Sequence, residues 1–149
     1  MCIRDRGITG AYCKQRVTAE QRAMAQTLLE ASGPVEWVER EGDIDLVTGV
    51  SGSGPAYVFL LAEAMAAAGA KLGLSPELAM RLARHTVAGA GELMIRSDDE
   101  PATLRRNVTS PNGTTAAALE VLMEPDGLEP LMQKAIAAAA RRAAELSKD

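Results

Sequence analysis

The chain has 149 residues, enough to bury one core or one domain plus a fragment of another. Its net charge of -4, its pI of about 5.1 and its aromatic content of 3% argue against nucleic acid and anionic membranes as partners. Its two cysteines, Cys2 and Cys13, are too few for a disulfide framework or a zinc site and fit a reducing cytoplasm. The most apolar run, residues 55–70, contains Glu63 and is too short to span a bilayer, and no secretory segment is visible.

The first 45 residues predict a helix followed by a strand. Thr18 and Gln21 have the spacing of a capping box, in which each side chain bonds the other residue's backbone amide. Gly33 and Pro34 end the helix, and the β-branched and aromatic residues in 35–39 predict one strand. Because a lone strand leaves its edges unpaired, this pattern indicates that the rest of a sheet is missing upstream.

The chain from residue 43 onward predicts a succession of helices. Pro55 opens a helix that runs to about residue 71, and Ser75 with Pro76 begins the next one. Three further helices are predicted at residues 101–106, 114–123 and from 128 to near the end. The inner face of the helix that follows Ser75 is predicted to contain Leu78, Leu82, Thr86, Ala90, Leu93 and Met94.

Small residues recur four positions apart in two of these helices. This spacing lets helices approach closely, although high helix propensity explains frequent alanine equally well. A domain with few large apolar residues needs another source of burial, and self-association is the natural one. The two sets are Ala62, Ala66 and Ala70, and Ala79, Ala83 and Val87.

Two other features are predicted to be structural. The segment SGSG at residues 51–54 lacks the spacing of a phosphate-binding loop, and a tight turn before a helix is the favoured interpretation. His85, the sole histidine of the sequence, has no cysteine or second histidine with which to share a metal. No metal site is therefore expected.

The segment TSPNGTT at residues 109–115 is the most informative part of the chain for function. A Pro-Asn-Gly turn directly precedes an apolar helical pattern. The first N–H groups of a helix have no intrahelical partner, and the helix dipole favours a carboxylate or phosphate beside them. The hydroxyls of Ser110 and Thr115 can bond the same small anion. The alternative is an ordinary N-cap with nothing bound.

Three further segments stand in order along the chain: DLVTGVSGSGPAY at 45–57, KLGL at 71–74, and NVTSP at 107–111 with Gly113 and Thr115. Together they resemble the C-terminal half of pyrroline-5-carboxylate reductase, and the resemblance runs from about residue 7 to the end of the chain. The family usually has glycine at the position of Asn112, and asparagine is the next most tolerant residue of positive φ. The family's N-terminal nucleotide-binding half has no counterpart in the sequence.

The resemblance implies a mainly α fold. Residues 45–149 are expected to form a helical dimerisation and substrate-binding domain, similar to the C-terminal domain of 6-phosphogluconate dehydrogenase. Residues 1–44 are expected to be a helix-strand remnant of a Rossmann-type nucleotide-binding domain. Residues 1–6 do not match the family, and we expect them to be a foreign or artefactual lead.

The resemblance also implies the chemistry. Family members are cytoplasmic enzymes that reduce 1-pyrroline-5-carboxylate to L-proline with NADPH or NADH, as homodimers that in many members assemble into decamers. Ser110 and the amides of Gly113, Thr114 and Thr115 are expected to hold the substrate carboxylate, and Thr115 is the expected catalytic residue, at the ring nitrogen. Without the nucleotide-binding half, this chain alone is expected to be inactive and to bind no cofactor. The alternative is a non-catalytic helical oligomerisation module.

Overall fold

A computed structural model describes residues 7–147, and the predicted mainly α fold is confirmed. The expectation about residues 1–6 lies outside this range. Two compact units are present among the described residues, the first formed by residues 7–54 and 134–147 and the second by residues 55–133. The elements in chain order are β1 (Thr9–Ala11), α1 (Ala19–Glu30), β2 (Val35–Trp37), α2 (Asp43–Val47), a π turn (Thr48–Gly52), α3 (Gly54–Lys71), α4 (Pro76–Arg96), α5 (Pro101–Asn107), α6 (Thr114–Leu122) and α7 (Leu128–Leu146).

The first unit contains a two-stranded parallel sheet, so the prediction of a lone strand is wrong. β2 pairs with β1, with Thr9 opposite Val35 and Ala11 opposite Trp37. β1 has three residues and a central glycine, and so it shows no alternation that predicts a strand. Gly10 lets α2 approach, because a Cβ on it would lie 2.6 Å from Cγ1 of Val47. Two strands of this length remain below what an independently stable sheet requires.

Helix α1 begins as predicted. The Thr18 hydroxyl accepts from the amide of Gln21, and the Gln21 side chain accepts from the amide of Thr18, which completes the capping box. Trp37 in β2 donates its indole N–H to Gln26, and the Arg22 guanidinium lies 4.5 Å from the centre of the indole ring. These contacts attach α1 to the sheet.

The segment SGSG at residues 51–54 is not the predicted tight turn. The chain stays helical through the π turn, in which the Ser53 amide donates to the Thr48 carbonyl oxygen over 2.9 Å. The resulting helical stretch from Asp43 to Lys71 has 29 residues and is long and apolar enough to cross a membrane, by length and composition alone. The helix is therefore longer than the apolar run at residues 55–70, and the expectation that this run is too short to span a bilayer is wrong for the whole helix. A helix enclosed on several sides by other protein segments has the same composition.

In the second unit, small residues join α3 to α4. Ala66, Ala79 and Ala83 are buried together, with Ala70 and Met80 packed against them. Members of both predicted sets therefore lie together at the contact between the two helices. The predicted inner face of α4 is wrong by one position. Ala79 and Ala83 face α3, and the larger residues one position away are exposed to solvent in one copy. All six residues of the predicted face are exposed, namely Leu78, Leu82, Thr86, Ala90, Leu93 and Met94.

The described residues bury almost no large apolar side chain within one copy. The buried hydrophobic residues among them are all alanine, namely Ala66, Ala79, Ala83 and Ala140. By contrast, Phe59 is 59% exposed and Leu131 is 62% exposed. Isolated exposed apolar residues are normal, but this many on adjacent helices indicates surfaces that another protein surface covers.

Candidate functional site

The loop between α5 and α6 forms a tight turn at residues 110–113. The Gly113 amide donates to the Ser110 carbonyl oxygen over 3.0 Å. Pro111 follows Ser110, and Asn112 has a φ of 57°. Proline at the second position and positive φ at the third are the pattern of a type II turn. A Cβ on Gly113 would lie 3.1 Å from the Ser110 carbonyl oxygen, so a side chain at this position would require the turn to shift by a few tenths of an ångström.

Helix α6 begins directly after this turn without a side-chain cap. Its N-cap residue is Gly113, and the first helical hydrogen bond runs from the Ala117 amide to the Gly113 carbonyl oxygen. The amides of Thr114, Thr115 and Ala116 therefore lack acceptors in the helix. The starts of α1 and α4 differ, since the hydroxyls of Thr18 and Ser75 cap them. Gly113 is itself a common N-cap residue, so the alternative of an ordinary N-cap with nothing bound stays open for α6.

The predicted site residues surround this open helix end. Ser110 and Thr114 are exposed, whereas Gly113 and Thr115 are half-buried. The turn brings Ser110 against Gly113, and Thr115 lies in the first turn of α6. Free amides and nearby hydroxyls at a helix start form a set of donors for a small anion. The roles of these residues toward a ligand stay predictions.

Thr109 is a residue of this loop that the sequence analysis did not single out for a role. Its hydroxyl donates to the Arg105 carbonyl oxygen over 2.6 Å, and its amide donates to that of Arg106 over 3.0 Å. Thr109 is half-buried between the exposed Val108 and Ser110. A threonine just beyond the last turn of a helix is the sequence signal for such a bond.

His85 and an open groove are two further candidate features that do not include the predicted site residues. His85 is exposed on α4 beside Arg81 and Arg84, and residues 7–147 contain no group of three or more His, Cys, Asp or Glu that could hold a metal. An open groove of about 640 Å³ lies at the opposite end of α6 from the turn, lined by Leu119, Leu122 and other side chains. None of the four predicted site residues lines it.

A charge pair perturbs ionisation in the first unit. The Arg40 side chain donates to Asp43 over 2.6 Å, and its amide donates to the same carboxylate over 3.2 Å. These hydrogen bonds lower the pKa of Asp43, and the carboxylate in turn raises the pKa of Arg40. A carboxyl group that stays ionised at the start of α2 stabilises the helix and is unsuited to act as a general acid.

Residues 41–146 match the family profile described as pyrroline-5-carboxylate reductase dimerisation. The chain is 50% identical over 142 residues to pyrroline-5-carboxylate reductase from Pseudomonas aeruginosa, covering 95% of this chain and 52% of that protein.

Two solved structures have the same fold. A pyrroline-5-carboxylate reductase from Coxiella burnetii superposes with a TM-score of 0.86 at 40% identity, over 93% of this chain and 51% of that one. A pyrroline carboxylate reductase from Plasmodium falciparum, solved with NADP bound, superposes with a TM-score of 0.72 at 31% identity, over 90% and 51%. The chain spans about half the length of the relatives it matches.

Proposed function

The chain belongs to the pyrroline-5-carboxylate reductase family, and we propose that it forms part of an oxidoreductase that reduces 1-pyrroline-5-carboxylate to L-proline with NADPH or NADH. The observation that supports this most directly is the match over residues 41–146, which contains the turn at residues 110–113 and the whole of α6. In this proposal the open start of α6 is the place where the substrate binds.

The substrate is a small cyclic imine with one carboxylate, and the site offers donors for such a group. The uncapped amides of Thr114 and Thr115 and the hydroxyl of Ser110 bind the carboxylate in this proposal, and the Gly113 amide, predicted as a further donor, instead closes the turn on the Ser110 carbonyl oxygen. The positive end of the α6 dipole favours the same charge. A carboxylate held at several points fixes the orientation of the ring.

Thr115 is proposed as the catalytic residue. It lies one residue into α6, half-buried, and its hydroxyl is not the helix cap because Gly113 occupies that position. A hydrogen bond from this hydroxyl to the ring nitrogen would hold the C=N bond in place. Reduction would add a hydride from NADPH or NADH to the imine carbon and a proton from water to the nitrogen, which gives a secondary amine and the oxidised cofactor. Positioning of this kind lowers the barrier without a general base.

The described residues do not fit a dinucleotide. A Rossmann-type cradle needs a strand followed by a glycine-rich turn and a helix. β1 is followed by Tyr12-Cys13-Lys14, and β2 by Val38-Glu39-Arg40. We therefore expect NADPH or NADH to bind residues beyond those described. In this proposal residues 1–44 belong to that nucleotide-binding domain and residues 45–149 to the helical domain.

We propose a cytoplasmic homodimer, with the further assembly of dimers into decamers as part of the same proposal. The matched region is a dimerisation domain. A second copy would cover the apolar faces that α3 and α4 expose, including Phe59 and Leu82. Besides the second copy, the proposed partner is the small-molecule substrate 1-pyrroline-5-carboxylate. No nucleic acid is expected as a partner, because the net charge is -4.

The test is reduction of 1-pyrroline-5-carboxylate by the protein expressed from the complete reading frame, followed as the loss of NADPH or NADH. We expect turnover with one or both cofactors. The matched control is the 149-residue chain alone, which we expect to show neither turnover nor binding of NADPH in isothermal titration. A complete protein that binds NADPH and leaves the imine unreduced would contradict the function. Micromolar binding of NADPH by the 149-residue chain would contradict the proposal that the cofactor binds residues outside this chain.

A non-catalytic helical oligomerisation module is the second candidate. It is favoured by one observation, the extent of exposed apolar surface on helices that make few large contacts within one copy. The reading frame upstream of residue 7 separates the two. A strand, a glycine-rich turn and a helix there would indicate the reductase, and a start codon without such a fold would indicate the module.

A further inference from the structure

The conformation of the site loop depends on two residues that make no proposed contact with substrate. Asn112 is the one non-glycine residue with positive φ among residues 7–147. A left-handed backbone is unfavourable for residues with a Cβ, and asparagine tolerates it better than most. At φ of 57°, Asn112 occupies the turn position that otherwise favours glycine. The turn that joins Ser110 to Gly113 therefore depends on this residue.

Thr109 fixes the other end of the loop. Its hydroxyl bonds the Arg105 carbonyl oxygen at 2.6 Å and its amide bonds the Arg106 carbonyl oxygen at 3.0 Å. Both acceptors lie in the last turn of α5, where the Arg106 carbonyl oxygen also accepts from the amide of Val108 at the C-cap. The loop thus leaves α5 in a defined direction, with Ser110 as the next residue.

We infer that Thr109 and Asn112 are positioning residues that hold Ser110 and the first amides of α6 in one fixed arrangement. The inference rests on the proposed function, in which that arrangement binds the substrate carboxylate. Thr109 fixes where the turn begins, and Asn112 fixes its closure against Gly113. A loop held in its binding conformation loses less conformational freedom when the ligand binds. Both residues therefore act on affinity for the carboxylate substrate, and neither acts on the binding of NADPH.

Thr109→Val in the complete protein tests the first anchor, because it keeps the shape and removes the hydroxyl. We expect the KM for pyrroline-5-carboxylate to rise about threefold to tenfold, the loss typical of one hydrogen bond. The KM for NADPH should not change, and Thr109→Ser should restore the wild-type value. The matched control is Thr27→Val, which removes the same kind of hydroxyl bond, to the Ala23 carbonyl oxygen in α1. Equal kinetics for Thr109→Val and Thr27→Val would overturn the role of Thr109.

Asn112→Ala tests the turn, with Asn112→Gly as the conservative variant. Alanine at positive φ should raise the KM for pyrroline-5-carboxylate about fivefold or more, whereas glycine adopts this φ freely and should stay within about twofold of wild type. Asn112→Gly is also the matched control, since it removes the same side chain and keeps the positive φ. A KM for Asn112→Ala equal to that of Asn112→Gly would overturn the role of Asn112.

Amide hydrogen exchange of the same complete proteins separates this inference from the proposed function. The Gly113 amide is protected by its bond to Ser110, so its exchange reports closure of the turn in the absence of any substrate. We expect faster exchange at Gly113 in Thr109→Val and Asn112→Ala, and not in Thr27→Val or Asn112→Gly. If the wild-type protein reduces no imine, the proposed function fails while exchange still decides whether these residues hold the loop. Unchanged exchange at Gly113 in both test variants would overturn the inference.

Discussion

Thr115 distinguishes a ligand-binding role of the helix start from a structural one. Its side chain is half-buried in the first turn of α6, and Gly113 rather than Thr115 is the N-cap. Thr115→Val in the complete protein should lower kcat/KM by an amount worth about 1–3 kcal/mol, the loss expected for a hydrogen bond to a buried or charged group. The melting temperature should stay close to that of the wild type. Steady-state kinetics and thermal melts measure both quantities.

Thr114→Val is the matched control for that substitution. Thr114 precedes Thr115 in α6, its side chain is exposed, and the proposal assigns a role to its backbone amide alone. The variant keeps that amide, so kcat/KM should change by less than a factor of about two. A lower melting temperature with unchanged kcat/KM in Thr115→Val would return Thr115 to a structural role.

Gly49 is a residue whose importance comes from a contact far along the chain. A Cβ on Gly49 would lie 3.0 Å from the Ile136 carbonyl oxygen and 3.3 Å from the Ala140 amide nitrogen in α7. Gly49→Ala should destabilise the protein by about 1–3 kcal/mol, because backbone atoms cannot move aside as a flexible side chain can. Gly52→Ala in the same π turn is the control, since its Cβ would meet only the Thr48 side chain at 3.5 Å. Urea unfolding measures both, and equal stabilities would contradict the contact.

The residue-scale features that could be predicted from the sequence are those whose partners lie within a few positions. The hydroxyl of Thr18 and that of Ser75 cap their helices as expected, because the capping hydroxyl and the amide that donates to it are set by spacing alone. The need for glycine at position 49 depends on α7, almost 90 residues later. No local pattern contains that information.

At the scale of elements, α4 shows what helical periodicity can and cannot predict. The period correctly predicted an amphipathic helix, but it could not tell which of two adjoining stripes contacts α3 within one copy. The stripe of Ala79 and Ala83 makes that contact, each of them 3% exposed, while Leu82 on the neighbouring stripe is 51% exposed. The small residues on one stripe can pack against α3 in the same copy, and the large residues on the next stripe remain available to a different protein surface.

Ala83→Leu tests the close approach of α3 and α4. The buried cluster of Ala66, Ala79 and Ala83 has no room for three more carbon atoms, so we expect a loss of about 1–3 kcal/mol in the free energy of unfolding. Ala23→Leu on the exposed face of α1 is the control and should change it by less than about 0.5 kcal/mol. Chemical denaturation followed by circular dichroism provides the comparison. Similar midpoints for the two variants would mean that the helices separate readily.

The short strand β1 marks the other limit of element prediction. Its three residues are defined by pairing with β2 and by the approach of α2 to Gly10, and both depend on tertiary structure. The strand β2 was predicted because Val35 and Trp37 have strong strand preference of their own. A strand that forms because of tertiary contacts, and not because of the strand preference of its own residues, cannot be predicted from a local sequence pattern.

At the scale of the whole molecule, burial indicates self-association. Residues 43–149, which keep α2 whole, should form a homodimer with twice the mass of the chain in static light scattering. The reason is that Phe59, Leu82 and Leu131 remain exposed in one copy, and their burial would supply the missing apolar area. A folded monomer that persists at micromolar concentration would contradict this expectation.

The all-alanine burial has a calorimetric consequence. The heat-capacity increment of unfolding follows the apolar area that is exposed to water, and typical domains give about 12–15 cal/mol/K per residue. A single copy that buries Ala66, Ala79, Ala83 and Ala140 should fall well below that range. Most of the increment then belongs to dissociation of the assembly, so the transition measured by scanning calorimetry should move to higher temperature as the protein concentration rises. In thermodynamic terms the folding unit is the assembly, and the single polypeptide is one component of it.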